Sequence, residues 1–155
     1  MDPLHVTCTG CLDFAFQVTN DGSSDPTEPI FALILSNFAG FTTDAGYIDN
    51  SGDTNPVHVN RTAGGGKVGF SFATEAAVIF PNESTSILVV ATNATNFDSN
   101  GGLHFAAFDG TENPPLTTDA TGLFEPTPEP SSLLVAAIAF LTIAAFRKSR
   151  NLSAN

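Results

Sequence analysis

Two closely spaced cysteines are the first residues of this sequence whose type and spacing could do chemistry. Cys8 and Cys11 have the two-residue spacing of redox and metal-binding motifs. Thioredoxin-like chemistry needs that pair at a strand-to-helix turn of a parallel α/β fold, and zinc needs two further ligands, of which only His5 is close. We therefore predict a local disulfide formed in an oxidising compartment. Free thiols and a metal or redox site are the alternatives.

A run of alternating oxygen side chains is the second candidate site. Asp49, Ser51, Asp53 and Asn55 stand at every second position, as ligands do in a calcium-binding loop. The glycine and the distal glutamate of an EF-hand are missing from their places. The preferred interpretation is a solvated turn, with Asp49 and Asp53 kept as calcium candidates, and no cofactor is predicted.

No catalytic motif is visible in the sequence. The histidines are scattered, and no Ser, Cys or carboxylate forms a recognisable nucleophile motif beside them. The three glycines before Lys67 resemble a phosphate-binding loop, but Val68 follows where that loop has Ser or Thr, so a hairpin turn is predicted. The sequence predicts a protein that is not an enzyme. A hydrolase with an unrecognised site is a further hypothesis, and a pocket without convergent His, Ser or carboxylate groups would count against it.

The charge of the chain excludes one class of partner. All 16 acidic residues lie at or before Glu129, whereas only two of the five basic residues, Arg61 and Lys67, precede residue 131, so residues 1–130 carry a net charge of −14. Such a surface cannot neutralise phosphates, which excludes nucleic-acid binding. The low content of charged residues, 14%, is typical of secreted β-proteins.

Short strands are predicted through the first 111 residues. Leu12, Phe14, Phe16 and Val18 alternate with more polar neighbours, which indicates a half-buried strand. Further strands are predicted at 30–35, near Tyr47, at 57–59 and 68–72 as a hairpin, at 86–92 as a central strand, and at 103–108 as the last one. About seven strands with turn signals between them predict an all-β fold, an antiparallel β-sandwich over residues 1–111.

The composition changes after residue 111. Residues 112–130 are rich in Pro, Thr and acidic residues. A segment of this kind buries too little apolar surface to fold alone, so an extended stalk is predicted over 112–130.

An uncharged segment near the C-terminus predicts a membrane anchor. Residues 131–146 contain no charge and are followed by Arg147, Lys148 and Arg150. As a helix they would be about 24 Å long against a hydrocarbon core of about 30 Å, a mismatch that local thinning and snorkelling side chains absorb. We predict a single transmembrane helix with its basic tail over 131–155. Because basic residues stay in the cytoplasm, the domain is expected outside it.

The end of the chain resembles a known sorting signal. A Pro-Glu-Pro triplet, a short hydrophobic helix and a basic cluster are similar to the PEP-CTERM signal of bacterial exosortase substrates, beginning at about residue 126. The resemblance implies export, temporary anchoring and cleavage near the triplet by exosortase, an integral-membrane cysteine protease or transpeptidase. It assigns the sorting motif to Pro128, Glu129 and Pro130, and the cytoplasmic stop to Arg147, Lys148 and Arg150. Thr127 departs from the pattern, since Val is frequent there.

Together these features predict an exported, non-enzymatic protein of the cell surface or extracellular matrix. The expected partners are an exosortase-type enzyme, the lipid bilayer and exopolysaccharide. The expected location is a single-pass membrane protein, with release to the surface or matrix after processing. The alternative is a calcium- or glycan-binding adhesion module.

Export also requires a signal peptide. Residues 1–9 lack its charged and apolar regions, so we expect one upstream of Met1 or already removed. The alternative is a tail-anchored protein whose domain stays in the cytoplasm.

Overall fold

Eight strands make up the regular secondary structure of the described residues. The computed structural model describes residues 8–22, 28–72, 77–107 and 116–127. The strands are β1 Asp13–Phe16, β2 Ile30–Ser36, β3 Thr43–Ile48, β4 His58–Arg61, β5 Lys67–Ser71, β6 Ile87–Thr92, β7 Phe97–Ala107 and β8 Leu116–Pro126. The predicted strands at 30–35, near Tyr47 and at 86–92 are thereby confirmed as β2, β3 and β6.

The strands form two antiparallel sheets. One has three strands in the order β1-β6-β3, and the other has five in the order β4-β5-β2-β7-β8. All the strand pairs in both sheets are antiparallel. The predicted all-β, antiparallel class is confirmed, and β6 is central in its sheet as predicted.

One hydrophobic cluster joins the two sheets. Leu33 and Phe70 of the larger sheet belong to the same buried cluster as Leu88 of the smaller one. The ring of Phe16 on β1 meets that of Phe70 edge-to-face, with centroids 6.0 Å apart. Strands of period two place alternate side chains on opposite faces, so each sheet turns one apolar face to this core.

The predicted hairpin at 57–72 is confirmed by the pairing of β4 with β5. Val59 lies opposite Phe70, and the turn closes with hydrogen bonds from Thr62 N to Lys67 O and from Gly65 N to Thr62 O. Gly65 is buried with φ of +68°, and a Cβ there would lie 3.2 Å from Phe41 O. Glycine is therefore required by both conformation and space, which explains the glycine run without a phosphate ligand.

The prediction of a stalk over 112–130 is wrong for residues 116–126. These residues form β8, which pairs along β7 from Phe97 opposite Pro126 to Ala107 opposite Leu116. The boundary predicted at 111 therefore cuts through the five-stranded sheet, and β7 is not the last strand. Composition failed here because an edge strand draws its stability from backbone pairing and one apolar face, and tolerates proline at its end.

A part-buried polar contact joins the end of β8 to the rest of the domain. Glu125 is 9% exposed, and one of its carboxylate oxygens accepts a hydrogen bond of 2.6 Å from the side-chain amide of Asn37. Asn37 follows β2 and has φ of +73°, a conformation that asparagine tolerates better than most residues. The acidic composition of this segment thus includes a side chain that belongs to the folded domain.

The predicted transmembrane helix at 131–146 lies outside the described residues, as do the sorting motif at 128–130 and the basic cluster at 147–150. Within the part of the chain that the structure describes, no helix is long and apolar enough to cross a membrane.

Candidate functional site

A polar groove crosses the outer face of the five-stranded sheet. Leu33, Leu35 and Leu103 turn into the core, so the residues that alternate with them face outward. The groove has a volume of about 350 Å³ and draws its lining from β2, β5, β7 and β8. Its polar and small members are Ser36, Lys67, Gly102, His104, Asp119 and Thr121.

Strand register explains how these residues meet. His104 on β7 lies between Ile34 on β2 and Asp119 on β8. In the neighbouring row Ser36 pairs with Lys67, and Gly102 pairs with Thr121. A Cβ at residue 102 would lie 3.6 Å from Ser36 Oγ. Because Gly102 has no side chain, the groove extends down to the backbone at this position.

The side chains of His104 and Asp119 are in direct contact across β7 and β8. The Nδ1 atom of His104 contacts the Oδ1 atom of Asp119. Because an ionised carboxylate only accepts, Nδ1 donates, and a neutral ring then keeps an acceptor at Nε2. The two side chains are 43% and 70% exposed, so the pair is open to water.

The groove brings together the residue types of a hydrolase, but its serine and histidine side chains are not hydrogen-bonded to each other. Asp119, His104 and Ser36 follow one another on adjacent strands, and the convergence of His, Ser and carboxylate groups keeps the hydrolase hypothesis open. Ser36 lies one row away from His104, however, and the described residues show no hydrogen bond between the two side chains. An activated nucleophile needs that bond to its base.

The calcium candidates Asp49 and Asp53 have amide partners in the structure. Asp53 Oδ2 accepts hydrogen bonds from Gln17 at 3.0 Å and from Asn50 at 2.7 Å, and Asp49 Oδ1 accepts one from Asn55 at 3.1 Å. Over the described ranges, no group of three or more His, Cys, Asp or Glu residues could hold a metal ion. The loop has the hydrogen bonds of a closed polar turn.

The two cysteines are joined in the structure. Cys8 and Cys11 form a disulfide with their Cα atoms 5.5 Å apart, a separation within the usual range for such bonds. Leu12, the next residue, donates its backbone N–H to Ala94 O at 2.9 Å. The small disulfide loop therefore sits directly at the start of β1.

Sequence reasoning missed the pairing of His104 with Asp119. Asp119 lay in the predicted stalk, and His104 stood in a strand without a visible partner. The antiparallel pairing of β7 with β8 places them side by side, and no spacing in the sequence signals it. His5 lies outside the described residues.

Comparison with known protein families finds no model that matches the chain. Comparisons with curated proteins and with solved structures find no match either.

Proposed function

We propose that this chain is an exported, non-enzymatic surface protein whose β-sandwich domain stands outside the cytoplasm. Its C-terminal segment would serve as membrane anchor and as the signal for an exosortase-type enzyme. The observation that carries the proposal is the order of features at the end of the sequence. A Pro-Glu-Pro triplet at 128–130, an uncharged run at 131–146 and a basic cluster follow one another without interruption.

The end of the folded domain fits a cleavage signal placed directly behind it. Thr127 donates its backbone N–H to Asn96 O at 3.1 Å, and Pro128 is the next residue. A cut near the triplet would therefore release a domain with all eight strands intact. The Cys8–Cys11 disulfide supports the same proposal, because disulfides persist mainly in oxidising compartments outside the cytoplasm.

The two lysines of the chain provide a test of orientation. Lys67 is exposed on the domain and Lys148 follows the uncharged run, and the sequence contains no other lysine. In intact cells of a host without exosortase, where the tail is retained, a membrane-impermeant amine reagent should modify Lys67 and spare Lys148, as read by peptide mass spectrometry. After permeabilisation both should react. Modification of Lys148 with protection of Lys67 in intact cells would contradict the proposal and support a cytoplasmic domain.

A second candidate function is glycan binding in the groove over Gly102. The groove combines the donor Lys67, the acceptors Asp119 and His104 Nε2, and the hydroxyls of Ser36 and Thr121. Groups of both kinds at short intervals suit the hydroxyls of a sugar, and the lysine favours sugars that carry a carboxylate. An acidic exopolysaccharide is thus the ligand class that fits this lining.

Filling the groove tests this candidate. A Cβ at residue 102 meets only ordinary van der Waals contacts, so Gly102→Val should fold while its side chain covers the floor. Retardation of the protein in gels that contain an acidic polysaccharide should weaken by about tenfold or more in apparent affinity, equivalent to about 1.4 kcal/mol. Ser99→Val adds the same side chain on β7 outside the groove and should behave as wild type. Equal retardation of Gly102→Val and wild type, or none for either, would refute the groove as a glycan site.

A further inference from the structure

Two exposed phenylalanines form an apolar surface at one end of the domain. Phe97 is 56% exposed and Phe124 is 62% exposed, the two largest values among the exposed large apolar side chains of the described residues. Their rings meet edge-to-face with centroids 5.2 Å apart. Together with Leu12, Phe14, Phe16 and Leu123 they line a cleft of about 600 Å³. An apolar cleft open to water marks an interaction surface.

This aromatic cleft lies where the chain leaves the domain. Phe97 at the start of β7 pairs with Pro126 at the end of β8, and Thr127 is bonded to Asn96. Only three residues, and therefore four Cα–Cα steps, then separate Thr127 from Ser131, the first residue of the uncharged run. Fully extended, they span at most about 14 Å. The polar region on each side of a bilayer is about 5–8 Å thick, so an inserted tail would hold this end against the membrane surface.

The cations of the domain lie at the same end. Strand β7 runs antiparallel to both β2 and β8, so β2 and β8 point toward the same end of the domain, and β5 begins at Lys67 beside Ser36, the last residue of β2. Strand β8 continues beyond this level to Pro126, opposite Phe97. Arg61 at the end of β4 pairs with Val68 beside it. These are the two basic residues of the sequence before residue 131.

Acidic groups lie near the cleft and also at the opposite end of the domain. Asp13 lines the cleft, and Asp98 follows Phe97. Mixed charge of this kind suits a zwitterionic headgroup layer better than an anionic one. Asp49 and Asp53 follow β3, which runs antiparallel to β6 and ends at the far end of the domain.

We infer that the aromatic cleft is a bilayer-docking surface, with Phe97 and Phe124 inserted into the headgroup region of the membrane that holds the tail. The inference rests on the proposed membrane anchor. Phenylalanine is among the side chains that interfacial segments bury at the boundary of headgroups and acyl chains, and burying the two rings there removes them from water. The rival occupant is a second copy of the chain, because β1 beside the cleft is an edge strand.

Lipid quenching at single labelled sites tests the inference on the full chain in phosphatidylcholine vesicles. An environment-sensitive thiol dye is attached to the cysteine of the Phe124→Cys variant. The matched control carries the same dye in the Ile48→Cys variant, because Ile48 at the end of β3 is 54% exposed. The native cysteines are disulfide-bonded and do not take the dye. With nitroxide lipids in the vesicles, fluorescence at 124 should fall at least about twofold, because an interfacial side chain lies about 5–10 Å into the headgroup and acyl boundary. Fluorescence at 48 should not change.

The outcomes separate this inference from the proposed anchor. Protein that floats with the vesicles but shows no quenching at 124 overturns the docking surface and leaves the anchor intact. If the dye at 124 is shielded from water only at high protein concentration, and nitroxide lipids do not quench it, a second copy of the chain occupies the cleft. That result also overturns the inference. Protein that fails to float contradicts the anchor itself. Phe97→Cys provides a second position where the same quenching is expected.

Discussion

Replacing Ile138 and Leu141 by arginine is expected to release the full chain from membranes. Both residues lie near the middle of the uncharged run at 131–146. An arginine at the centre of a membrane helix costs about 2.5–3.5 kcal/mol on insertion scales, so the pair costs about 5–7 kcal/mol. The run is already short for the bilayer and has little excess hydrophobicity with which to offset this cost. Flotation on a density gradient should find wild type with the membranes and the double variant at the bottom.

The matched control keeps the hydrophobicity of the segment. Ile138→Leu with Leu141→Ile changes the same two positions and should float as wild type does. If the double arginine variant remained in the membrane fraction after alkaline extraction, the uncharged run could not be what holds the chain there.

Truncation of Phe70 is expected to produce the largest loss of stability within the domain. Phe70 is 1% exposed at the centre of the shared core, where its ring meets Phe16 of the other sheet. Phe70→Ala removes this contact between the sheets and leaves a cavity, which costs about 3–5 kcal/mol in the free energy of unfolding. That is a large share of the about 5–15 kcal/mol that stabilises a domain. Thermal unfolding of the full chain, followed by circular dichroism, should shift down by more than about 10 °C.

Phe80→Ala is the control for this loss, because Phe80 is 46% exposed and lies outside the buried cluster. It should lower the free energy of unfolding by less than about 1 kcal/mol. Equal effects of the two substitutions would show that the two sheets do not share the core described above.

The sequence predicted the interior strands better than the edge of the larger sheet. Residues 30–35 form a continuous apolar run, and the β4–β5 hairpin has its turn marked by glycines, so each prediction rested on neighbouring residues. Strand β8 has no such pattern, because Ala120 and Leu123 are its residues that pack against the core, and the threonine and glycine between them give no continuous apolar run. Its strand conformation depends on pairing with β7, which composition does not reveal.

The candidate groove was beyond sequence reasoning for a related reason. His104 and Asp119 are 15 positions apart, and the register of the β7–β8 pair puts them opposite each other. A shift of one residue in that register would turn one of the two side chains to the other face of the sheet. Gly102 lines the groove beside Ser36, which belongs to a different strand, β2, so their proximity also depends on strand pairing. The disulfide between Cys8 and Cys11 could be predicted without strand register, because the two residues are only three positions apart.

The mass of the mature chain tests the central proposal most directly. The protein should be expressed with its tail in a host that contains an exosortase, isolated from the cell surface or the medium, and analysed by intact-mass and C-terminal peptide mass spectrometry. The proposal predicts a chain that ends near the Pro128-Glu129-Pro130 triplet, and the same host without the enzyme should yield the uncleaved form in the membrane. A surface protein that still ends at Asn155 in the presence of exosortase would contradict it.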